Sequence, residues 1–237
     1  ATPGWKLPLP LCLASTGFFL LVDLGFLASN LLKVVDGGWF PLTMALMLFV
    51  LLATWKDGRA LLSRRQREQA LDLPAFLSDV LAHEPLRVDG TAVFLAANRG
   101  MVPSALLHNL KHNKVLHRTN LFLTVENQEV PRMSEQQRIE VGPLVPGCWQ
   151  VTLRFGFMED PDVPKALAGS QALSGLVDPM QTSYFLSRDI LVPTLGDQMA
   201  LWREKLFAVM HHGASAAASF LKLPNNAVVE LGSKVEL

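Results

Sequence analysis

The chain has 237 residues, half of them hydrophobic, and its 21 Lys and Arg residues balance 21 Asp and Glu residues. A net charge of zero argues against a nucleic-acid binder, which needs a basic surface to replace counterions. A charged fraction of only 18% fits a membrane segment joined to an ordinary domain better than a purely soluble protein.

Two apolar runs come first, Leu9 to Leu32 and Trp39 to Trp55. As helices they measure roughly 36 and 25 Å, which is enough to cross the hydrocarbon core of a bilayer. The second run has a tryptophan at each end, where interfacial aromatic residues belong. Because neither run has a polar face, we favour a membrane hairpin over two buried core helices. Two long runs without a small-residue cleavage site also argue against a signal peptide.

Asp23 is the only ionised side chain in the first run. An ionisable residue inside a span is by default a functional candidate, because such residues tend to face a pathway or a partner. We therefore consider Asp23 a candidate residue of an ion pathway. The alternative is a structural carboxyl group that is hydrogen-bonded to Ser15, Ser29 or another helix.

A basic segment follows the second run and predicts the orientation of the chain in the membrane. The loop between the runs has Lys33 balanced by Asp36, whereas the later segment is rich in cations: Lys56, Arg59, Arg64, Arg65 and Arg67. The positive-inside rule places that side in the cytoplasm. Two spans return the chain to its starting side, so residues 1–6 and everything after about residue 56 are expected to be cytoplasmic.

We predict three parts: a membrane hairpin over residues 1–55, a basic juxtamembrane helix over 56–72, and a cytosolic α/β domain over 73–237. Predicted helices of the domain cover residues 75–82, 104–114, 163–177 and 198–212, and residues 214–219 resemble a loose connector. Predicted strands cover residues 91–97, 120–125, 137–141, 149–157, 182–186 and 227–237. The first two strands flank a helix, which predicts a right-handed parallel βαβ unit. The fold class is therefore two transmembrane helices followed by a domain with a mixed, partly parallel sheet.

The densest polar cluster is the segment HNLKHNKVLH, residues 108–117. Its candidate interface or regulatory residues are His108, Asn109, Lys111, His112, Asn113 and Lys114. The two histidines are four residues apart on one helix face, but no acidic residue or third ligand accompanies them, so we predict no metal site. Cations and asparagine at a helix C-terminus also have an ordinary structural explanation, with Asn113 as a left-handed cap.

Enzyme signatures are missing from the sequence. Neither buried strand is followed by G-x-G-x-x-G, and neither G-x-x-x-x-G-K-[ST] nor G-x-S-x-G occurs. The two cysteines, Cys12 and Cys148, lie in different parts of the protein and are not expected to pair in a reducing cytosol. We predict no enzymatic activity and no cofactor.

Three segments resemble the KUP/HAK/KT potassium uptake permeases. They are DGGWFPLTMALMLFVLLATWKDGR at 36–59, TAVFLA at 91–96 with HNLKHNKVLH at 108–117, and PNNAVVELGSKVEL at 224–237. The first is similar to the last membrane helix of these permeases, and the others to their cytoplasmic domain. The resemblance covers essentially the whole chain.

The resemblance implies a K⁺/H⁺ symporter of the bacterial inner membrane, with about twelve spans and a core of two inverted repeats. It also implies that this chain holds only the last two spans, so its missing upstream helices are partners and the ion-binding residues lie outside it. Since the chain starts at Ala1, we expect a fragment or a truncated chain. The family also implies a homodimer and a universal-stress-protein-like form of the cytosolic domain.

Three roles are open for this part of the permease. The domain is a dimerisation and regulatory module, or it senses a nucleotide, or the chain is a membrane-anchored adaptor with no transport role. A cyclic dinucleotide or ATP would bind at the carboxyl ends of the strands, near residues 108–114 or 142–147.

Overall fold

The computed structural model describes residues 8–68, 70–192, 199–214 and 217–236. It divides into two compact units, Ala1–Lys56 and Asp57–Leu237. The predicted cytoplasmic position of residues 1–6 concerns residues outside the described ranges. Part of the predicted 214–219 connector also lies outside them.

The first unit contains the two predicted spans. Helix α1 covers Leu9–Lys33, and helix α2 begins at Trp39. Both are long and apolar enough to cross a membrane, and most large apolar side chains of the two apolar runs are exposed. The residues predicted as a loop form a wide helical turn, Val34–Gly38, which is interrupted at Gly37 with a φ of 137°.

Helix α2 does not end with its apolar run but continues to Glu68. The predicted basic helix is therefore mostly the last part of α2, and Asp57–Glu68 belongs to the second unit. Helix α3, Leu73–Ala82, begins two residues before the predicted start, because Asp72 caps it with a bond from the Ala75 N–H at 3.1 Å.

The second unit is built on a sheet of six strands among the described residues, in the order β3-β4-β2-β1-β5-β6. Only β3 is antiparallel to its neighbour. The strands are β1 Leu86–Leu95, β2 Val115–Gln128, β3 Ile139–Val145, β4 Cys148–Gly156, β5 Thr182–Val192 and β6 Val228–Glu236. The remaining helices are α4 Ser104–Asn113, α5 Glu135–Arg138, α6 Val163–Ala168, α7 Leu201–Ala214 and α8 Ala217–Phe220. The predicted parallel βαβ unit is confirmed as β1, α4 and β2.

Helices cover both faces of the sheet. On one face, α3 and α4 pack over a cluster that includes Phe94, Phe122 and Phe185. The Phe94 ring is stacked on the other two, with centroid distances of 5.7 and 4.8 Å, and such pairs add about 0.5–1.5 kcal/mol beyond their buried area. On the other face, α6 packs over alternate residues of the same strands, such as Val93 and Leu121. This two-sided burial explains why these strands are continuously apolar in sequence.

Several predicted bounds differ from the structure. The strand predicted at 137–141 begins at Ile139, because the preceding residues form the one-turn helix α5. The helix predicted over 163–177 ends at Ala168, next to Gly169, and is followed by a short 3₁₀ turn. Strands β1, β2 and β5 each extend beyond the predicted range into segments that mix polar and apolar residues.

Candidate functional site

The strand order has a switch point between β1 and β5. From β1 the chain passes through α4 to β2 on one side, whereas β5 and β6 lie on the other side. Open parallel sheets bind ligands in the crevice outside the carboxyl ends of the strands at such a point. A pocket of about 340 Å³ opens there, between the residues that follow β1, the start of α4 and the ends of β5 and β6.

His108 is the residue of the predicted cluster that lines this pocket. Pro103 and Ser104 start α4 at the carboxyl edge of the sheet, and His108 follows one turn later. Its Nε2 atom lies 3.0 Å from the Ser233 Oγ atom on β6. The N-terminus of α4 is fixed by a bond from the Ala105 N–H to the Ser187 Oγ atom at 2.8 Å.

Asp189 is the acidic residue of the pocket, beside Ser233 in the β5–β6 register. The Gln66 side-chain amide donates to its Oδ2 atom at 2.8 Å. Burial raises the pKa of Asp189, while His211 and the Gln66 bond oppose that shift. Burial also lowers the pKa of His211, and the Asp189 charge opposes this. The pocket thus combines hydroxyl groups and a histidine with a partly buried carboxyl group.

The other residues of the predicted cluster lie toward the opposite end of α4. Asn109 is buried, donates to the Val115 carbonyl at 3.0 Å and accepts from the Asn113 amide at 2.8 Å. The left-handed cap is Lys114, with a φ of 57°, so the prediction of Asn113 in that position is wrong. The N–H of Lys114 bonds the Asn109 and Leu110 carbonyls, so Lys114 closes the last turn of α4.

Lys111 and His112 lie in the last turn of α4. The rings of His108 and His112 are stacked, with centroids 6.0 Å apart and planes within 6°. Among the residues that the structure describes, no group of three or more His, Cys, Asp or Glu side chains is arranged to hold a metal ion.

Two other predicted locations are away from the pocket. Residues 142–147 form the end of β3 and the turn to the amino end of β4, so their expected place at the carboxyl ends of the parallel strands is wrong. The reason is that β3 and β4 form an antiparallel hairpin, whose turn precedes the parallel strand. Asp23 is exposed on α1, in the other compact unit, and within the described part of the chain neither Ser15 nor Ser29 is bonded to it.

Sequence reasoning missed Asp189, Ser233 and Gln66. A signal for Asp189 was present, because it closely follows the apolar residues of β5 at the carboxyl end of a predicted strand. Ser233 and Gln66 have no such signal, since β6 and α2 reach the pocket only through the tertiary fold.

Two apolar helices that fit membrane spans, followed by an α/β domain with an open pocket, are typical of a membrane segment joined to a globular domain. Residues 1–60 match the family model of the K⁺ potassium transporter integral membrane domain, and residues 89–237 match that of the K⁺ potassium transporter C-terminal domain. The chain belongs to this potassium transporter family.

Curated relatives agree with the family models. A probable potassium transport system protein Kup from Methylibium petroleiphilum is 59% identical over 99% of this chain, which is 37% of the relative. Proteins of the same name from Paracidovorax citrulli and Nitrosospira multiformis are 58% and 47% identical, over 38% and 37% of their lengths. The chain thus spans less than two fifths of these relatives. They are named as transport proteins and not as enzymes. No solved structure matches the chain.

Proposed function

We propose that this chain is the C-terminal part of a potassium uptake transporter that works as a K⁺/H⁺ symporter. The observation that carries this proposal is the consecutive match of both transporter family models along the chain. Potassium needs a cage of oxygen ligands, which two helices with one carboxylate do not supply, so upstream helices of the same transporter would hold the ion. No enzymatic step and no cofactor is needed, because K⁺ and H⁺ are the transported ions.

Growth of a bacterium that lacks its own potassium uptake systems tests this function. We expect the 237-residue chain alone to give no growth at low potassium, and the chain joined to the upstream helices of its reading frame to restore it. Growth with the isolated chain would refute the proposal that upstream helices are needed to hold the ion. Failure of the joined protein to transport, when it is present in the membrane, would favour the adaptor role.

We also propose that the α/β domain is cytosolic, beneath the inner membrane, and regulates the transporter as a homodimer. The basic residues after the apolar run of α2 support the cytosolic side. A regulatory role is supported by helix α2, since one unbroken helix contains both the apolar run and the Gln66 side chain that bonds Asp189 in the pocket. The exposed sheet edge at β6 supports dimerisation.

Nucleotide sensing is the second candidate, and the position of the pocket favours it. The pocket lies at the switch point of the sheet with the start of α4 at its rim, which suits an anionic ligand. The absence of a glycine-rich phosphate loop from the sequence, and the Asp189 carboxyl group in the pocket, argue for weak or selective binding.

Calorimetry with ATP and with cyclic dinucleotides tests the pocket. We expect binding heat with the unmodified chain, loss of that heat in His108→Ala, and retention in His112→Ala, which is one turn away on the same helix face. No heat with any nucleotide, or equal loss in both variants, would contradict a nucleotide site at His108.

A further inference from the structure

The pocket at the carboxyl ends of β1, β5 and β6 contains a carboxyl group among hydroxyl groups. Along β5, the buried Phe185 is followed on the same face by Ser187 and then by Asp189, because alternate residues of a strand share a face. In the β5–β6 register Asp189 is paired with Ser233. The three polar residues all line the pocket. This face of the sheet, which is apolar in the core, thus offers hydrogen-bond acceptors at the pocket.

The Asp189 carboxylate is held in place and still has acceptor capacity. The Gln66 amide donates to its Oδ2 atom at 2.8 Å, and Asp189 is half-buried. An ionised carboxylate has two oxygen atoms with about four lone-pair sites, so one bond uses only part of its capacity. An acceptor that is fixed and partly shielded from water favours a ligand that brings hydroxyl or amino donors.

The same pocket has an apolar wall. The chain between α2 and α3 pairs with the segment that follows β1, where the Leu73 N–H donates to the Gly100 carbonyl at 2.9 Å and the Val102 N–H donates to the Leu71 carbonyl at 3.1 Å. Leu71, Met101 and Val102 line the pocket, and Leu71 is 48% exposed. Their side chains offer an apolar surface to a flat ring such as a nucleobase.

The start of α4 lies at a defined distance from Asp189. The Ala105 N–H donates to the Ser187 Oγ atom at 2.8 Å, and Asp189 is two residues further along β5, which is roughly 7 Å of extended strand. A phosphate group beside Asp189 would meet a like charge, whereas one near the first turn of α4 would be separated from Asp189 by about the length of one ribose.

We infer that Asp189 determines the specificity of the pocket by accepting hydrogen bonds from the ribose hydroxyl groups of a ribonucleotide. The inference rests on the nucleotide candidate of the proposed function. A carboxylate binds the ribose in the same way in other α/β sheets that bind dinucleotides. The base lies on the apolar wall that includes Leu71 and Met101, and the phosphate groups lie toward the start of α4. The carboxylate therefore selects the sugar and does not oppose nucleotide binding.

Calorimetry with matched ribose and deoxyribose ligands tests this role in the 237-residue chain in detergent. The ligands are ATP and cyclic di-AMP, each compared with its 2′-deoxy counterpart. For a ligand that binds, we expect the deoxy form to bind about 10- to 100-fold more weakly, as for the loss of a hydrogen bond to a charged group.

Asp189→Asn is the test variant, because asparagine keeps the size and one oxygen atom for the Gln66 amide but loses the charge and an acceptor. We expect the ribose preference to fall several-fold, because the ribose ligand binds more weakly while the deoxy ligand binds at least as tightly as before. Asp89→Asn is the matched control, since its side chain is 77% exposed in the first half of β1, away from the pocket. The control should keep the full preference.

The outcomes separate this inference from the nucleotide site itself. Equal binding of the ribose and deoxy ligands to the unmodified chain overturns the role of Asp189 and leaves the nucleotide site intact, and this comparison does not depend on the folding of any variant. A ribose preference that persists unchanged in a folded Asp189→Asn also overturns that role. No binding heat with any of the four ligands overturns the nucleotide candidate and this inference with it.

Discussion

Replacing Glu159 by glutamine will destabilise the second unit by about 2 kcal/mol at neutral pH, because hydrogen bonds to a charged group contribute more than neutral ones. The Glu159 carboxylate accepts from the Arg138 guanidinium at 2.8 Å and from the Gly156 N–H at 2.7 Å. It also accepts from the Met133 N–H at 3.2 Å. Glutamine keeps the volume but loses the charge and one acceptor atom, and it leaves Arg138, whose side chain is only 19% exposed, without a counter-ion.

The stability lost in Glu159→Gln will depend on pH in a defined direction. Hydrogen bonds from Arg138 and from the Gly156 backbone lower the pKa of Glu159 from 4.5 to about 2 in the folded protein. A lowered pKa means that the stabilisation is complete above about pH 4.5 and is lost as the pH falls toward 2. The difference in unfolding free energy between the unmodified chain and Glu159→Gln should therefore be full at pH 7 and smaller at pH 3.

Guanidinium unfolding in detergent, followed by near-ultraviolet circular dichroism, measures this difference at both pH values. Asp160→Asn is the matched control, because its side chain is 86% exposed and reaches Lys222 only at 3.3 Å. We expect the control to change stability by less than about 0.5 kcal/mol. An equal loss of unfolding free energy in the two variants would contradict the assigned role of the carboxylate. So would a loss for Glu159→Gln that is larger at pH 3 than at pH 7.

The sequence predicts the core of this fold well because both faces of the sheet are buried. Residues such as Val93 and Leu121 stand in short apolar runs, and these runs are the parts of β1 and β2 that the prediction found. The polar ends of the same strands are held by backbone pairing, which leaves no hydrophobic pattern. The pairing of Arg87 with Leu116 and of Val88 with His117, ahead of the predicted ranges of β1 and β2, is an example.

The candidate site was predicted only in part, and for a physical reason. His108 was found because it stands in a dense polar segment on one helix. Its partners come from distant parts of the chain, since Ser233 is 125 residues away and Asp189 is 123 residues from Gln66. Helical periodicity identifies neighbours three or four residues apart and has no information about such pairs. For the same reason, Asn109 was grouped with His108, although its bonds are local and structural.

The two edges of the sheet differ in how well they resist pairing with another chain. Strand β3 contains Pro143, which has no N–H to donate and protects an edge. Strand β6 has no proline over its nine residues and pairs only with β5 among the described residues. An exposed edge strand of this length is a template for a second copy of the chain. We therefore assign the proposed homodimer to antiparallel pairing of two β6 strands across a two-fold axis.

Two proline substitutions on β6, Val229→Pro and Glu230→Pro, will separate dimerisation from folding. Successive N–H groups of a strand point to opposite sides, so one variant removes a donor that faces β5 and the other removes a donor that faces outward. The inward variant should lose stability on the order of 1–3 kcal/mol, as expected for a buried acceptor without its partner. The outward variant should keep its stability. Its molar mass, measured by light scattering in detergent, should fall from that of a dimer to that of a monomer. A chain that is monomeric before substitution would contradict pairing through β6. A dimer that survives the outward proline would also contradict it, because the proline removes an N–H donor from the shared ladder of each strand.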